Sequence, residues 1–403
     1  MLLGRVQQEK REKEFLAPYA LKSAESRGRK IQETPDPVRT EFQRDRDRII
    51  HSQAFRKLQH KTQVYLVHEA DLYRTRLTHT LEVAQIARGL AVALNLNEDI
   101  TEAIALAHDL GHAPFGHAGE DELRRLTEGK FEHNLQSLRI IDVLEKRAPG
   151  YDGLNPTFEL REGIAKHFTR YDNPKSSPLY PDEFKGYPNG SLEAQCVNLA
   201  DVLAFCAHDL DDAIRVGLAT IDDLKDLKND LIFQALKEAQ DRLKPFESSL
   251  NSYEYGEYLR RNVVRNIINI VIRDVESSTV ERLKDKSVKS VEDVRREEEQ
   301  FVKPSPKIEK DLYEVSQFLY DHVYMSPVVV TMVHKARKII VSLYEEFLKN
   351  PKLMPLEYQA RLNSEEKWRV VADYVASLTD RQAMDIYQML FSPYTRVLFS
   401  PRG

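Results

Sequence analysis

The sequence contains few cysteines and few glycines, and it lacks any long apolar run. The two cysteines among 403 residues, Cys196 and Cys206, lie in one apolar segment. They are typical of small buried hydrophobes, which excludes a disulfide framework and a thiolate zinc site. No stretch approaches the roughly 18 consecutive apolar residues of a membrane-spanning helix, and the first residues carry no signal-peptide core. We therefore expect a soluble, cytoplasmic protein with no membrane partner.

Neither sign of charge dominates the chain. A net charge of -5 gives no attraction of the whole protein to nucleic acid or to a membrane surface. Residues 1–61 differ, with 15 Lys and Arg against 9 Asp and Glu. This local excess is explained by a solvated arm, or alternatively by contacts with phosphate groups.

The composition favours helices, because Leu, Ala, Glu, Lys and Arg are abundant and only 15 residues are glycine. Apolar residues recur every three to four positions, and no strand–helix alternation is visible. We predict an all-α fold in three parts. Residues 1–40 form a flexible charged arm, 41–216 form the core, and 217–403 form a C-terminal helical region with an exposed charged excursion at 281–310. One short extended piece is predicted at 62–67.

The segment 108–120 concentrates chemically active side chains. It contains three histidines and two acidic residues, His108, Asp109, His112, His117 and Glu120. His108 continues an apolar helical stripe toward the core. A buried carboxylate at the next position costs free energy unless a cation compensates it. The pattern therefore indicates a metal ion more than a surface pair.

Two further helices carry matching ligands. His79 shares a helix face with Val83, and Asp201 lies in an otherwise apolar helix. A single inward histidine is usually a core residue, but two His and two Asp from three helices can bind one metal together. This nitrogen and oxygen set suits Mn²⁺, Mg²⁺ or Fe²⁺, and Co²⁺ or Ni²⁺ as well, whereas zinc is less distinctive.

At this point the sequence resembles a known family. His79, His108, Asp109 and Asp201 match the H…HD…D signature of the HD-domain phosphohydrolases, which implies an HD-domain helical core. Other motifs resemble the bacterial dGTP triphosphohydrolases (dGTPases) and their dGTPase-like relatives. They lie at 44–51, 55–59, 61–64, 74–79, 108–117, 131–134 and 318–324. The resemblance covers about residues 40 to 340.

The resemblance implies an enzyme that hydrolyses a deoxynucleoside triphosphate, in the first place dGTP, to deoxynucleoside and tripolyphosphate. A divalent metal would bind an α-phosphate oxygen and orient the attacking water. His117 matches the catalytic histidine and would protonate the leaving 5′-oxygen. Glu120 would orient that imidazole, and His133 is the second histidine that the family carries close to the phosphates.

Substrate binding is expected at five further residues. Arg76 and Lys166 are the predicted cations for the polyphosphate, because several negative charges must be compensated. His112 is given a structural or phosphate-proximal role. Gln63 and Asp209 match residues that hold the 3′-hydroxyl in relatives. Phe205 stands where relatives often carry tyrosine, and no motif assigns a residue to the base.

The resemblance also implies a homo-oligomer, a tetramer or hexamer. Two alternatives remain open. One is an HD-superfamily 5′-nucleotidase or other phosphomonoesterase, which would release orthophosphate. The other is a nucleotide or DNA-end sensor, in which the basic N-terminal stretch binds single-stranded DNA weakly. The complete ligand set and the presence of His117 with Glu120 argue against a site that only binds.

Overall fold

The computed structural model describes residues 3–63, 74–169 and 174–393. Within these ranges it contains eighteen α-helices and three isolated bridges but no strand, which confirms the all-α prediction. Of the extended piece predicted at 62–67, Thr62 forms an antiparallel bridge with Thr75. Residues 64–67 lie outside the described ranges.

The eighteen α-helices of the described ranges follow one another in this order. They are α1 (Arg5–Phe15), α2 (Glu41–Ile50), α3 (Gln53–Lys57), α4 (Arg76–Ala93), α5 (Glu98–Ala107), α6 (His117–Leu126), α7 (His133–Arg139), α8 (Phe158–Ala165), α9 (Leu192–Arg215), α10 (Ile221–Asp226), α11 (Asp230–Leu243), α12 (Ser252–Asp285), α13 (Val291–Arg296), α14 (Pro306–Leu319), α15 (Pro327–Lys349), α16 (Leu356–Arg361), α17 (Lys367–Ser377) and α18 (Asp380–Phe391). Short π-helices follow α7 and α14. No described helix is both long and apolar enough to cross a membrane.

The chain divides into two compact units, and both are discontinuous in sequence. The first unit comprises Met1–Glu25, Glu82–Glu102 and Tyr187–Val330. The second comprises Ser26–Leu81, Ala103–Gly186 and Thr331–Gly403. The division into three consecutive parts at residues 40 and 216 stays a prediction.

The first unit is built around α9, which packs against α12 and α14. Both cysteines are buried and free in α9, as the sequence predicted. Its Glu193 carboxylate is buried and accepts the backbone N–H of Leu21 at 2.8 Å. Residues near the N-terminus therefore contact the core, whereas the sequence predicted a flexible arm.

The charged excursion predicted at 281–310 also has buried parts. Phe301 and Val302 are buried, and both donate their backbone N–H groups to the Gln195 side-chain oxygen, at 2.7 and 3.2 Å. Their apolar side chains are removed from water, a contribution of roughly 25 cal/mol per Å² of buried surface. The high charge of residues 281–310 therefore did not indicate that Phe301 and Val302 pack inside the protein.

The second unit joins the motif-rich segments to the C-terminal helices. Phe115, Leu123 and Phe131 belong to one apolar core with residues of α15, α17 and α18. The buried Asp373 of α17 accepts hydrogen bonds from Arg139 at the end of α7, the shortest at 2.8 Å. These contacts hold the segment 108–139 against the C-terminal helices.

Candidate metal centre and active site

Three of the predicted metal ligands come together within the second unit. His79, His108 and Asp109 are all buried, and each offers a ligand atom within 4.8 Å of the others. His79 lies in the first turn of α4. There, Thr75 and Thr78 each accept the other's backbone N–H with the side-chain hydroxyl, at 3.0 and 3.3 Å, which stabilises the helix start. The cluster therefore brings together three of the four residues in the predicted nitrogen and oxygen donor set.

The imidazole of His108 is held by a hydrogen bond to the backbone. Its Nδ1 lies 2.6 Å from the carbonyl oxygen of Ala105. Because a carbonyl only accepts, Nδ1 carries a proton, and in the neutral ring Nε2 would keep the lone pair that a metal requires. The Ser137 hydroxyl donates to the His108 carbonyl at 2.7 Å and accepts the Gly111 N–H at 2.8 Å. A Cβ at Gly111 would lie 2.2 Å from the His133 carbonyl, so only glycine allows this approach.

Asp109 is the anionic member of the cluster. Arg76 donates to its Oδ2 at 2.9 Å, and both side chains are buried. Burial opposes the charge, but His108 and the Arg76 guanidinium hold the pKa of the Asp109 carboxyl well below its usual range. Two imidazoles and an ionised carboxylate fit a divalent cation.

A second cluster of titratable groups adjoins Asp109. The His112 Nε2 lies 3.1 Å from Asp109 Oδ1, and the His112 ring stacks on that of His133 with centroids 3.9 Å apart. Burial, followed by the charges of Arg76 and His133, lowers the pKa of His112 well below its usual value. The neutral His112 ring therefore lies between the metal cluster and His133.

Glu120 binds His133 more closely than it binds His117. Its carboxylate accepts from the His133 backbone N–H at 2.8 Å and from its Nδ1 at 2.9 Å, whereas the His117 Nδ1 lies 4.0 Å away. Burial opposes ionisation, but the charge and hydrogen bond of His133 keep the pKa of Glu120 well below its usual value. We expected Glu120 to orient His117, but its nearest histidine is His133.

His117 is the exposed histidine of this group, with 57% of its side chain accessible. It begins α6, directly after Phe115 and Gly116, whose φ angles are +66° and +61°. A bulky residue such as phenylalanine rarely adopts a positive φ. A Cβ at Gly116 would lie 2.9 Å from Arg76 Nη2, so glycine permits the guanidinium to lie against this turn.

The remaining predicted residues are distributed over both units. Gln63 and Lys166 belong to the second unit, where the Lys166 Nζ lies 3.2 Å from the Glu162 carboxylate. Asp201 and Asp209 lie on α9 in the first unit. The roles of Asp201 as a metal ligand and of Asp209 as a sugar ligand stay predictions.

Two residues that contact predicted site residues, His167 and Tyr324, were missed by the sequence reasoning. The buried His167 ring lies 5.2 Å from that of His108, and its position directly after Lys166 was the available signal. In the first unit, the Tyr324 hydroxyl donates to the Asp209 carboxylate. Tyr324 ends one of the recognised motifs, yet we gave it no role.

The chain is similar to known proteins over nearly its whole length. An HD-domain profile matches residues 76–206, and a phosphohydrolase-associated domain matches 302–389. A protein of Syntrophus aciditrophicus (strain SB), named a deoxyguanosinetriphosphate triphosphohydrolase-like protein, is 46% identical over 97% of both chains. Proteins of the same name from Ralstonia pickettii (strain 12J) and Geobacter metallireducens are 46% and 42% identical, covering 94% and 96% of this chain and 95% and 97% of theirs.

The HD-domain match and the buried His79, His108 and Asp109 cluster support metal-dependent phosphohydrolase activity. The similarity also extends beyond residues 40 to 340, to nearly the full chain. This chain therefore belongs to the deoxyguanosinetriphosphate triphosphohydrolase-like family of HD-domain phosphohydrolases.

Proposed function

We propose that the enzyme hydrolyses deoxynucleoside triphosphates, in the first place dGTP, to deoxynucleoside and tripolyphosphate. One observation carries the polyphosphate part of this proposal. The Nε and Nη2 donors of Arg76 are buried and have no hydrogen-bond partner among the described residues. Unpaired buried guanidinium donors cost free energy, which an anionic substrate beside Asp109 would recover. The names of the relatives supply dGTP as the first substrate to test.

The metal would be held by His79, His108 and Asp109, with Asp201 as the proposed fourth ligand. When bound, Mn²⁺, Mg²⁺ or Fe²⁺ would supply Lewis-acid activation of the α-phosphoryl group and of a water molecule. Arg76 would bind Asp109 and a phosphate oxygen through different nitrogens. Lys166 adds a second buried cation in the same unit.

His117 is the proposed general acid for the leaving 5′-oxygen. Its exposed imidazole can reach substrate without breaking a buried contact. Glu120 holds the His133 ring through Nδ1, and the neutral His112 stacks against that ring. We assign His133 and His112 to the phosphate-proximal side of the reaction and Glu120 to their orientation.

The sugar is the proposed ligand of Gln63 and Asp209. The Gln63 side-chain oxygen is buried and has no hydrogen-bond partner among the described residues, so it can accept a hydroxyl proton. Tyr324 holds Asp209 within the first unit and would fix that carboxylate. A homo-oligomer and weak binding of single-stranded DNA remain further proposals.

The decisive experiment identifies the products. Purified protein is incubated with each dNTP, and separately with each deoxynucleoside monophosphate, in the presence of Mn²⁺ or Mg²⁺. Nucleosides, nucleotides and inorganic phosphates are then separated. The proposal expects equal amounts of deoxynucleoside and tripolyphosphate. Orthophosphate released from deoxynucleoside monophosphates would instead support a phosphomonoesterase, and binding without turnover would support a sensor.

A further inference from the structure

Two buried ionisable residues of the second unit have no part in the proposed chemistry. Lys61 lies just before the bridge residue Thr62, and Asp380 is the first residue of α18, inside the phosphohydrolase-associated segment. Each is only 2% exposed. Burying ionisable side chains to this extent costs free energy, so their contacts require an explanation.

Asp380 connects two segments of the active-site region. One carboxylate oxygen accepts the backbone N–H of Phe115 at 2.9 Å. The other accepts the backbone N–H of Thr62 at 2.9 Å and also the Thr62 hydroxyl. The acceptor pattern needs both oxygens, because all three partners are donors. An amide at this position would offer only one acceptor.

Lys61 connects the same two segments from the other side. Its Nζ donates to the His112 carbonyl at 2.5 Å and to the Ala376 carbonyl at 2.9 Å. Its own carbonyl accepts the backbone N–H of Arg76 at 3.1 Å. Lys61 thus contacts both the start of α4 and the loop 112–116.

The loop between these contacts has an unfavourable backbone. Phe115 and Gly116 both have positive φ, and His117 follows immediately. A phenylalanine in this region persists only where surrounding contacts over-determine it. Two hydrogen bonds hold this loop. At one end the Lys61 Nζ donates to the His112 carbonyl, and near the other end the Phe115 N–H donates to Asp380.

We propose that Lys61 and Asp380 are positioning residues that hold the loop 112–116 in the conformation from which His117 acts. The inference rests on the proposed function of His117 as general acid. Both side chains are buried, so we place neither of them in contact with the substrate. Loosening the loop displaces the His117 imidazole, and a displacement of about 1 Å can cost about 100-fold in rate.

The test compares Asp380→Asn with Asp385→Asn. Asp385 lies further along α18, is 62% exposed and pairs with Arg381 at 3.8 Å, so it is a matched control. Asp380→Asn should lower kcat for dGTP by roughly 10- to 100-fold with KM nearly unchanged. Deuterium exchange of the peptide 111–119 should increase in Asp380→Asn alone. Thr62→Val, which removes only the hydroxyl contact, should give a smaller loss.

A leaving-group comparison separates positioning from general loss of structure. With bis(4-nitrophenyl) phosphate the leaving phenolate needs little protonation, so both Asp380→Asn and His117→Ala should lose less than with dGTP. In the double variant, Asp380→Asn should lower kcat for dGTP only slightly below that of His117→Ala alone. The inference would be overturned if Asp380→Asn lost the same factor in rate on both substrates. It would also be overturned if the rate losses of the two substitutions multiplied fully in the double variant.

The outcomes for the two proposals can be distinguished. If wild-type protein hydrolyses no dNTP, the proposed function fails, while increased exchange of 111–119 in Asp380→Asn still supports the contact of Asp380 with the loop. Unchanged exchange would overturn the inference whatever the activity. Lys61→Met keeps the length of the side chain but removes both hydrogen bonds of Nζ. Folded Lys61→Met protein should show the same loss of kcat and the same increase in deuterium exchange as Asp380→Asn.

Discussion

Replacing Arg76 with methionine tests the charge balance of the metal cluster. The Arg76 guanidinium donates to Asp109 at 2.9 Å, and the two side chains are 1% and 5% exposed. Removing one partner of such a buried pair leaves the other charge uncompensated, which typically costs about 3–5 kcal/mol. The metal-free variant should therefore unfold at clearly lower urea concentration than wild type.

A bound metal should restore much of this loss, because a divalent cation also compensates Asp109. The assay is urea unfolding of both proteins, each in EDTA and in saturating Mn²⁺. Mn²⁺ should raise the free energy of unfolding more in Arg76→Met than in wild type. The difference should be a large fraction of the about 3–5 kcal/mol that the substitution costs without metal. Arg125→Met is the control, since Arg125 is 61% exposed and pairs with Glu122 at 2.8 Å.

The same variant should also lose substrate affinity. Hydrogen bonds to charged groups contribute about 1.5–3 kcal/mol each, so a missing phosphate contact should raise the Kd of dGTP by roughly 10- to 150-fold. Wild-type stability of metal-free Arg76→Met would refute the charge-balance reasoning. Wild-type affinity for dGTP would remove Arg76 from the phosphate site.

Four further predictions address the proposed roles. His117→Ala should lower kcat by roughly 10²–10⁴ while bound metal stays constant, as elemental analysis would show. Asp201→Asn should lose both metal and turnover, and retained metal would exclude it as a ligand. Burial lowers the pKa of Lys61 from 10.5 to about 7. Above pH 7 the unfolded chain therefore binds one more proton than the folded chain. The free energy of unfolding should rise between pH 7 and pH 9 by up to about 1.4 kcal/mol per pH unit, and Lys61→Met, the control, should not show this rise. Dideoxy-GTP should react about 5- to 150-fold less efficiently than dGTP if Gln63 and Asp209 bind the 3′-hydroxyl.

The helical class and the metal cluster could be predicted because their signals are local. Helical periodicity places His79 and His108 on inward faces, and the adjacent Asp109 follows in sequence. Those three residues lie together in the second unit, as predicted ligands of one metal would. The preference of Glu120 for His133 could not be predicted. It depends on how α7 approaches Gly111, a tertiary contact that residue spacing does not encode.

The prediction of a flexible arm at residues 1–40 was based on its charge composition. Composition does not show which charged residues form ion pairs with each other. The N-terminal stretch was expected to be flexible because it is highly charged. Arg29 is in fact held by Glu41 at 2.6 Å and by Asp45 at 2.5 Å, and only 4% of its side chain is exposed. Opposite charges far apart in sequence cannot be paired from composition alone, so a solvated face and a buried ion network have the same signature.

The phosphohydrolase-associated segment shows why the active-site region cannot be understood from the HD motif alone. Within the second unit, Asp373 holds Arg139 at the end of α7, and Asp380 holds Phe115 two residues before His117. Both contacts join residues more than two hundred positions apart. His79, His108 and Asp109 belong to the HD motif itself, whereas the contacts of the segment that leads to His117 also involve α17 and α18. The C-terminal helices thus supply side-chain contacts to the end of α7 and to the backbone of the loop that precedes His117.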